Sequence, residues 1–339
     1  MLGIGRKQLS LGFAALAMLA APLHGQAANA GDGSPGGSSA AYASGYQQPS
    51  FAAQSLDRSL EAQLRSIVAD ARGRIGVYAA EIGGSRAVSL NADQAFPMAS
   101  TVKIAIAATY LQGVDEGRLR LDSSYPLRVG TGKTGQDGRI VTRPGMSLTA
   151  QSLIELSLTR SDNQATDALL HAVGGTAAVN RWLAQARIDG QRVDRDIATL
   201  LRDDLEKNDP ALGLDKRDSS TPAAMAHLLG ALHRGEVLSA QSRAVLLGAM
   251  SRCQTGKTRI PALLPAGTLV AHKTGTLFSQ TSDVGIIRLP DGRSVALAVF
   301  VTGPESHALQ GRQIASIARA VYDSFAGSSG YEGSQVARR

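Results

Sequence analysis

Two side chains three residues apart could open a reaction in this chain. In FPMASTVKIAIAATYLQ, Ser100 falls in the first turn of a predicted helix and Lys103 follows at i+3. Those positions share a helical face, so the amine can approach the hydroxyl. An amine kept from water there is neutral part of the time and can take the serine proton, while free N–H groups at the helix start stabilise negative charge. The plainer alternative is a capped helix with an exposed lysine. In LTRSDNQATDALL, Ser161 and Asn163 stand two apart in a short break between helices, and an extended loop would turn both side chains the same way. Ser161 would then relay a proton and Asn163 would hold Lys103 or a substrate carbonyl, with Asp162 turned away to brace the loop. The alternative is an ordinary capping cluster. The third stretch, TLVAHKTGT, reads as a strand on which Lys273 and Gly275 share a face, and Gly275 lets a ligand approach the backbone closely. A second Lys-Thr-Gly triplet at 133–135 lies in a Gly-rich stretch with no strand pattern. Leu127 stands where a phosphate-binding loop needs its first glycine, so this copy reads as a surface loop.

The elements around these stretches follow from apolar periodicity. SLDRSLEAQLRSIVADARG sets Leu56, Leu60, Leu64 and Ile67 on one helical face. RIGVYAAEI and SRAVSLN, separated by Gly83 and Gly84, read as a β-hairpin. From 98 to about 232 the pattern is mainly helical. Strands return in TLVAHKTGT, SDVGIIRLP and RSVALAVFVT, the last two joined by Asp291 and Gly292. An amphipathic helix, SHALQGRQIASIARAVYDSF, follows. The order predicts an α/β fold of the α+β type: an antiparallel sheet of about five strands flanked by terminal helices, with an inserted all-helical domain. The expected boundaries are 51–97 and 260–326 for the sheet lobe and 98–259 for the helical lobe, with a site where the two meet.

At the N-terminus, Arg6 and Lys7 precede the apolar run LSLGFAALAMLAAPL, and Ala28-Asn29-Ala30 follows, which is the form of a cleaved secretory signal over 1–30. The run is shorter than the roughly 20 residues a bilayer-spanning helix needs, so no transmembrane segment is expected in the mature chain. A periplasmic or secreted protein follows. Residues 31–50 read as a flexible linker, and 327–339 as a disordered tail. The formal net charge of +7 falls to +5 without Arg6 and Lys7. The basic residues are scattered among acids, which gives no nucleic-acid footprint. A single cysteine, Cys253, excludes an internal disulfide and reads as a small core residue. The six histidines lack metal-ligand spacing, so no metal and no cofactor are expected.

Taken in order, Ser-x-x-Lys at a helix start, Ser-Asp-Asn between helices and Lys-Thr-Gly on a late strand resemble the class A serine β-lactamase family. RDSSTPAAMAHLL and TRIPALLPAGTLVAHKTGT extend the likeness, which spans about 56–325. The resemblance implies Ser100 as the acylated nucleophile, Lys103 as its proton acceptor directly or through water, and Ser161 as donor to the leaving nitrogen. Asn163 would orient the substrate amide. Lys273 and Thr274 would hold the substrate carboxylate, with Arg259 similar to an arginine that assists in some members, although a solvated surface arginine is the alternative. The N–H groups of Ser100 and Thr276 would form the oxyanion hole, with Gly275 between its strand neighbours. His272 would face away from Lys273 and be structural.

One part departs from the family pattern. Fast members carry a glutamate two residues after an arginine and four before an asparagine in an omega-shaped loop, where it polarises the deacylating water. The region from Gly190 to the Arg217-Asp218 landmark is longer here and contains no Arg-x-Glu. One alignment takes Arg202 as the loop arginine, with Asp204 replacing the glutamate, Glu206 at plus four and Asn208 at plus six. Aspartate is one methylene shorter, and misplacing a base by about an ångström can cost on the order of a hundredfold. The other alignment takes Arg195 as the loop arginine and leaves only Leu200 near the base position. Asp203 and Asp209 read as solvated. The expected function is hydrolysis of the β-lactam amide through a Ser100 acyl-enzyme. The alternatives are a D,D-peptidase or slow penicillin-binding enzyme acting on peptidoglycan stem peptides, and a non-turnover receptor for β-lactams or peptidoglycan fragments.

Overall fold

The structure, a computed structural model, describes residues 51–127, 146–205 and 216–327. The signal, the linker, residues 328–339, the triplet at 133–135, Glu206, Asn208 and Asp209 lie outside the described residues. The chain opens with α1 (Phe51–Ile67), the hairpin β1 (Ile75–Glu81) and β2 (Ala87–Leu90), and the two-residue β3 (Phe96–Pro97). A 3-10 turn over Ala99–Val102 leads into α2 (Lys103–Asp115). The short strands β4 (Ser124–Pro126) and β5 (Ser147–Thr149) precede α3 (Ala150–Thr159), α4 (Asn163–Ala172), α5 (Thr176–Gln185) and α6 (Ile197–Leu205). Next come β6 (Ser219–Ser220), α7 (Pro222–Arg234) and α8 (Ala240–Ser251). The chain then returns to β7 (Val270–Leu277), β8 (Gln280–Arg288) and β9 (Ser294–Thr302), and α9 (His307–Gly327) follows.

The main sheet has five antiparallel strands in the order β2-β1-β9-β8-β7, as the alternating patterns predict. Every residue of the central strand β9 is buried, because both of its faces are covered. Val295, Leu297, Val299 and Val301 point to one side and pack with Leu60 and Leu64 of α1 and Ile314, Ile317, Val321 and Phe325 of α9. Ala296, Ala298 and Phe300 point to the other side and join the core built with α2, α4 and α7. The two-residue side-chain period of a strand therefore serves two cores at once. Truncating one of these large apolar side chains to Ala would cost about 2–5 kcal/mol.

Two features of this frame position the site. The strand β7 lies at the sheet edge, so one side of its backbone is free of ladder partners. The turn that carries Ser100 is pinned against it. Pairing of β3 with β6 places Pro97 opposite Ser219, and Met98 N donates to Asp218 O at 2.8 Å.

Candidate active site

Ser100 is half-buried on the 3-10 turn, and Lys103 is the first residue of α2. A 3-10 turn has three residues per turn, which eclipses i and i+3 more closely than the expected α-helical turn would. Ala99, just before the serine, is held at φ +49°, a left-handed conformation that a residue with a Cβ adopts at a cost of about 1 kcal/mol or more. Gly275 explains how the turn fits. A Cβ there would stand 2.6 Å from Met98 O and 3.1 Å from Ala99 Cβ. The glycine of the Lys-Thr-Gly triplet thus admits the protein's own nucleophile turn, where the sequence suggested room for a ligand.

Lys103 is fully buried, and its Nζ donates to Ser161 O at 2.6 Å, Ser161 Oγ at 3.1 Å and Asn163 Oδ1 at 2.6 Å. Lys273, also fully buried, donates to the same Ser161 Oγ at 3.0 Å and to Thr274 O at 2.9 Å. A hydroxyl has two acceptor sites and one proton. With both lysines protonated, Ser161 accepts from both, and its own O–H is directed elsewhere. Burial pulls Lys273 down to about 8, an effect opposed by the nearby Cys253 and Asp283 charges and reinforced by Arg259.

The Ser-Asp-Asn element differs locally from the extended loop expected. Ser161 sits at φ +59°, Asp162 is the N-cap of α4 and accepts from Ala165 N at 2.8 Å, and Asn163 is the first helical residue. The bracing role expected of Asp162 is therefore a helix cap. The left-handed turn at Ser161 offers Lys103 a backbone carbonyl as well as a hydroxyl.

On β7 the alternation splits the triplet. Lys273 and Gly275 face the Ser100 turn and Ser161, while His272, Thr274 and Thr276 face the 253–259 segment. Each of these three has a partner there. His272 meets the Cys253 thiol, Thr274 Oγ1 lies 2.6 Å from Thr255 Oγ1, and Arg259 Nη2 donates to Thr276 Oγ1 at 2.7 Å. Arg259 is no solvated surface residue. It is half-buried and also donates to Gly275 O at 2.9 Å and Ser282 O at 2.8 Å, and burial lowers its pKa. Thr276 is exposed to solvent. His272 shares its Nδ1 with the Asp283 carboxylate at 2.9 and 3.0 Å. Despite its burial, the Asp283 charge and hydrogen bond push His272 up to about 10. Cys253 is half-buried at the edge of a cavity rather than fully enclosed in the core.

The long loop is organised by Arg195. Its Nε donates to Asp218 Oδ2 at 2.6 Å and its Nη1 to Asp203 Oδ2 at 2.6 Å, while Asp218 Oδ1 accepts from the Asp194 and Arg195 N–H groups at 2.7 and 3.0 Å. Arg202 is exposed and reaches Thr199 Oγ1 at 3.3 Å. The buried clamp belongs to Arg195, which favours the second alignment; Ile197, an apolar residue, then falls two positions later. Asp203 is part of this clamp and not simply solvated. Leu200 of α6 packs with Ala99 and Leu277, and Asp204, one turn on, accepts from Phe278 N with both oxygens at 3.3 Å.

One acid here escaped the sequence reading. Asp167, one helical turn after Asn163, accepts from Ile197 N at 2.8 Å and Ala198 N at 3.1 Å, so it ties the start of α6 to α4. Desolvation raises it to about 6, although those two hydrogen bonds and the Lys103 charge act in the other direction. The i, i+4 spacing from Asn163 was the available signal. Among the described residues, no group of three or more His, Cys, Asp or Glu side chains is placed to hold a metal ion.

A five-stranded antiparallel sheet with helices on both faces, and the Ser161 hydroxyl held between two buried lysines, define the scaffold of a serine hydrolase. The comparisons make the assignment specific. The model of the "Beta-lactamase enzyme family" matches residues 59–325, and the chain belongs to that family. The extended-spectrum β-lactamase PER-1 of Pseudomonas aeruginosa is 31% identical over 285 residues, covering 80% of this chain and 89% of the relative. A crystal structure of a β-lactamase from Xanthomonas campestris superposes with a TM-score of 0.71 at 28% identity, covering 80% of this chain and 98% of that one. The L158E mutant of PBP-A, in an acyl-enzyme complex with penicillin G, gives a TM-score of 0.69 at 27% identity over 79% of this chain and 96% of that one.

Proposed function

We propose that this chain is an exported serine β-lactamase that opens the β-lactam amide through an acyl-enzyme on Ser100. The observation that carries the reading is the Ser161 hydroxyl, set 3.1 Å from one buried lysine nitrogen and 3.0 Å from the other. In this reading Ser100 Oγ attacks the lactam carbonyl and its proton passes to Lys103 directly or through water. The tetrahedral oxyanion is held by the N–H groups of Ser100 and Thr276, which supply a few kcal/mol of transition-state stabilisation. Ser161 donates its proton to the leaving nitrogen, and Lys103 re-protonates Ser161. Lys273, Thr274 and Thr276, with Arg259 behind Thr276, receive the substrate carboxylate, and Asn163 orients the substrate amide. On the Arg202 alignment Asp204 is the candidate base for the deacylating water; on the Arg195 alignment, which the clamp favours, no acid stands at that position.

Support for export rests on the N-terminal sequence pattern; among the described residues no helix is long and apolar enough to cross a membrane. The test is turnover of a chromogenic cephalosporin. Sustained turnover that Ser100→Ala abolishes supports the reading, and turnover that survives this substitution refutes it. A second reading, a slow penicillin-binding enzyme or D,D-peptidase acting on peptidoglycan stem peptides, is favoured by the Arg195 clamp, since that alignment leaves no acid at the usual base position. It predicts one equivalent released and then a stall.

A further inference from the structure

Behind β7, on the face turned from the Ser100 turn, Cys253, His272 and Asp283 form an array that the proposed reaction does not use. Asp283 holds His272 Nδ1 at 2.9 and 3.0 Å, and the other side of the ring meets the Cys253 thiol. The thiol also lies 3.3 Å from Thr255 Oγ1, which lies 2.6 Å from Thr274 Oγ1. A chain of two short contacts therefore runs from the sulfur to a residue assigned to the substrate carboxylate. Cys253 and His272 open on a cavity of about 570 Å³ whose lining includes His233, Lys257 and Arg288. Among the described residues that line it there is no carboxylate. A partly buried thiol beside an imidazole, on a cavity whose charged lining side chains are the cations Lys257 and Arg288 with His272, suits a small anionic disulfide.

We propose that Cys253 is a thiol-exchange site for a low-molecular-weight anionic disulfide, and that the mixed disulfide formed there weakens substrate-carboxylate binding through Thr255 and Thr274. The Cys253 thiolate sulfur attacks one sulfur of the incoming disulfide, and a new S–S bond forms as the old one breaks. The departing half leaves as a thiolate and takes a proton from water; the Cys253 sulfur rises to the disulfide level as the departing sulfur falls to the thiol level, so the exchange balances with no further oxidant. The protonated His272 ring holds the Cys253 thiolate, with Lys273 adding positive charge from the cleft side and Lys257 and Arg288 lining the cavity. Although burial raises the thiol, the His272 hydrogen bond and charge, the Thr255 hydrogen bond and the Lys273 charge bring it down to about 7. The adduct would replace the sulfur's contact with Thr255 and remove a negative charge near Lys273 and Arg259. The first half of the proposal stands without the β-lactamase reading; the second rests on it.

The test exposes the reduced full-length protein to oxidised glutathione and to the cationic disulfide cystamine, and follows the intact mass and the Cys253 peptide. One glutathionyl adduct on Cys253, absent in Cys253→Ser, is expected, with a rate that rises as pH passes about 7 and exceeds that of cystamine by about tenfold. Lys257→Ala and Arg288→Ala should each narrow that preference, and His272→Gln should slow exchange at neutral pH about tenfold. No adduct on the folded protein, with reaction only after unfolding, overturns the site, and a preference for cystamine overturns the choice of ligand. In the activity arm, the adduct should raise KM for a carboxylate-bearing cephalosporin severalfold with a smaller change in kcat. Dithiothreitol should reverse this, and Cys253→Ser should be insensitive to the disulfide. An adduct that leaves KM unchanged overturns the coupling to Thr274. Loss of the β-lactamase reading itself would be recognised by turnover that survives Ser100→Ala, with the adduct result unaffected.

Discussion

The nucleophile side of the cleft and the loop from 190 to 218 are built in opposite ways. Beside Ser100 the two buried lysines each have several partners: both converge on the Ser161 hydroxyl, Asn163 holds one of them, and a glycine lets the Ser100 turn lie directly on β7. Among the loop's described residues, 190–205 and 216–218, the ties run through its ends and α6. Arg195 and Asp218 clamp the ends, Asp167 ties α6 to α4, and Asp204 reaches the sheet through Phe278 N. A dense array fixes the geometry of a first step, whereas a tethered loop leaves the second step dependent on where one helix lies. The contrast suggests that substitutions on the two sides will separate acylation from deacylation.

The largest effect is expected from Ser161→Ala. Removing the hydroxyl between the lysines should lower the acylation rate by about 10² to 10⁴, and stopped-flow mixing with a chromogenic cephalosporin measures it. An equal fall in deacylation alone would erase the contrast. Asp218→Ala should destabilise the fold by about 1–3 kcal/mol, because it leaves Arg195 Nε and the N–H groups of Asp194 and Arg195 without their acceptor while Asp203 still holds Nη1; thermal unfolding reads this. Asp204→Asn should slow deacylation by about a hundredfold and accumulate acyl-enzyme while the burst amplitude stays whole. Normal deacylation in that variant, with a stall in Glu206→Gln, would move the role to Glu206.

Smaller effects follow from titration. The ammonium of Lys273 is lost as pH rises through about 8, so KM for a carboxylate-bearing substrate should climb above that pH, by up to about tenfold per unit. A flat KM between pH 7 and 9.5 would remove Lys273 from carboxylate binding. Asp167 keeps its proton in the fold up to about pH 6, whereas an unfolded aspartate loses it near 3.9. The folded state binds more protons between those values. Its contribution to stability is therefore complete at the acid end of that window and lost as pH rises through it. Asp167→Asn should remove this slope, on the order of 1 kcal/mol, from unfolding curves taken between pH 4 and 7.

Much of the first region was readable from local patterns, since Ser100 with Lys103, and Ser161 with Asn163, are neighbours in sequence and helical periodicity places them. The strands of the sheet were readable too, because short runs rich in β-branched and apolar residues bounded by turn residues mark β1, β8 and β9. The loop was not. Two arginines fit the pattern by count, and only the three-dimensional pairing of Arg195 with Asp218, 23 residues away, separates them. Asp167 and Asp283 act on partners remote in sequence; the i, i+4 step from Asn163 puts Asp167 on the same helical face but does not reveal what it binds. The left-handed turns at Ala99 and Ser161 are equally hidden, as neither residue type advertises positive φ.

The most direct test of the central claim is peptide mapping of the covalent adduct in a reaction with penicillin quenched in acid within the burst. A single penicilloyl group on the peptide carrying Ser100, absent from Ser100→Ala, is the result predicted. An adduct on any other residue, or turnover with no adduct at any time, would contradict it.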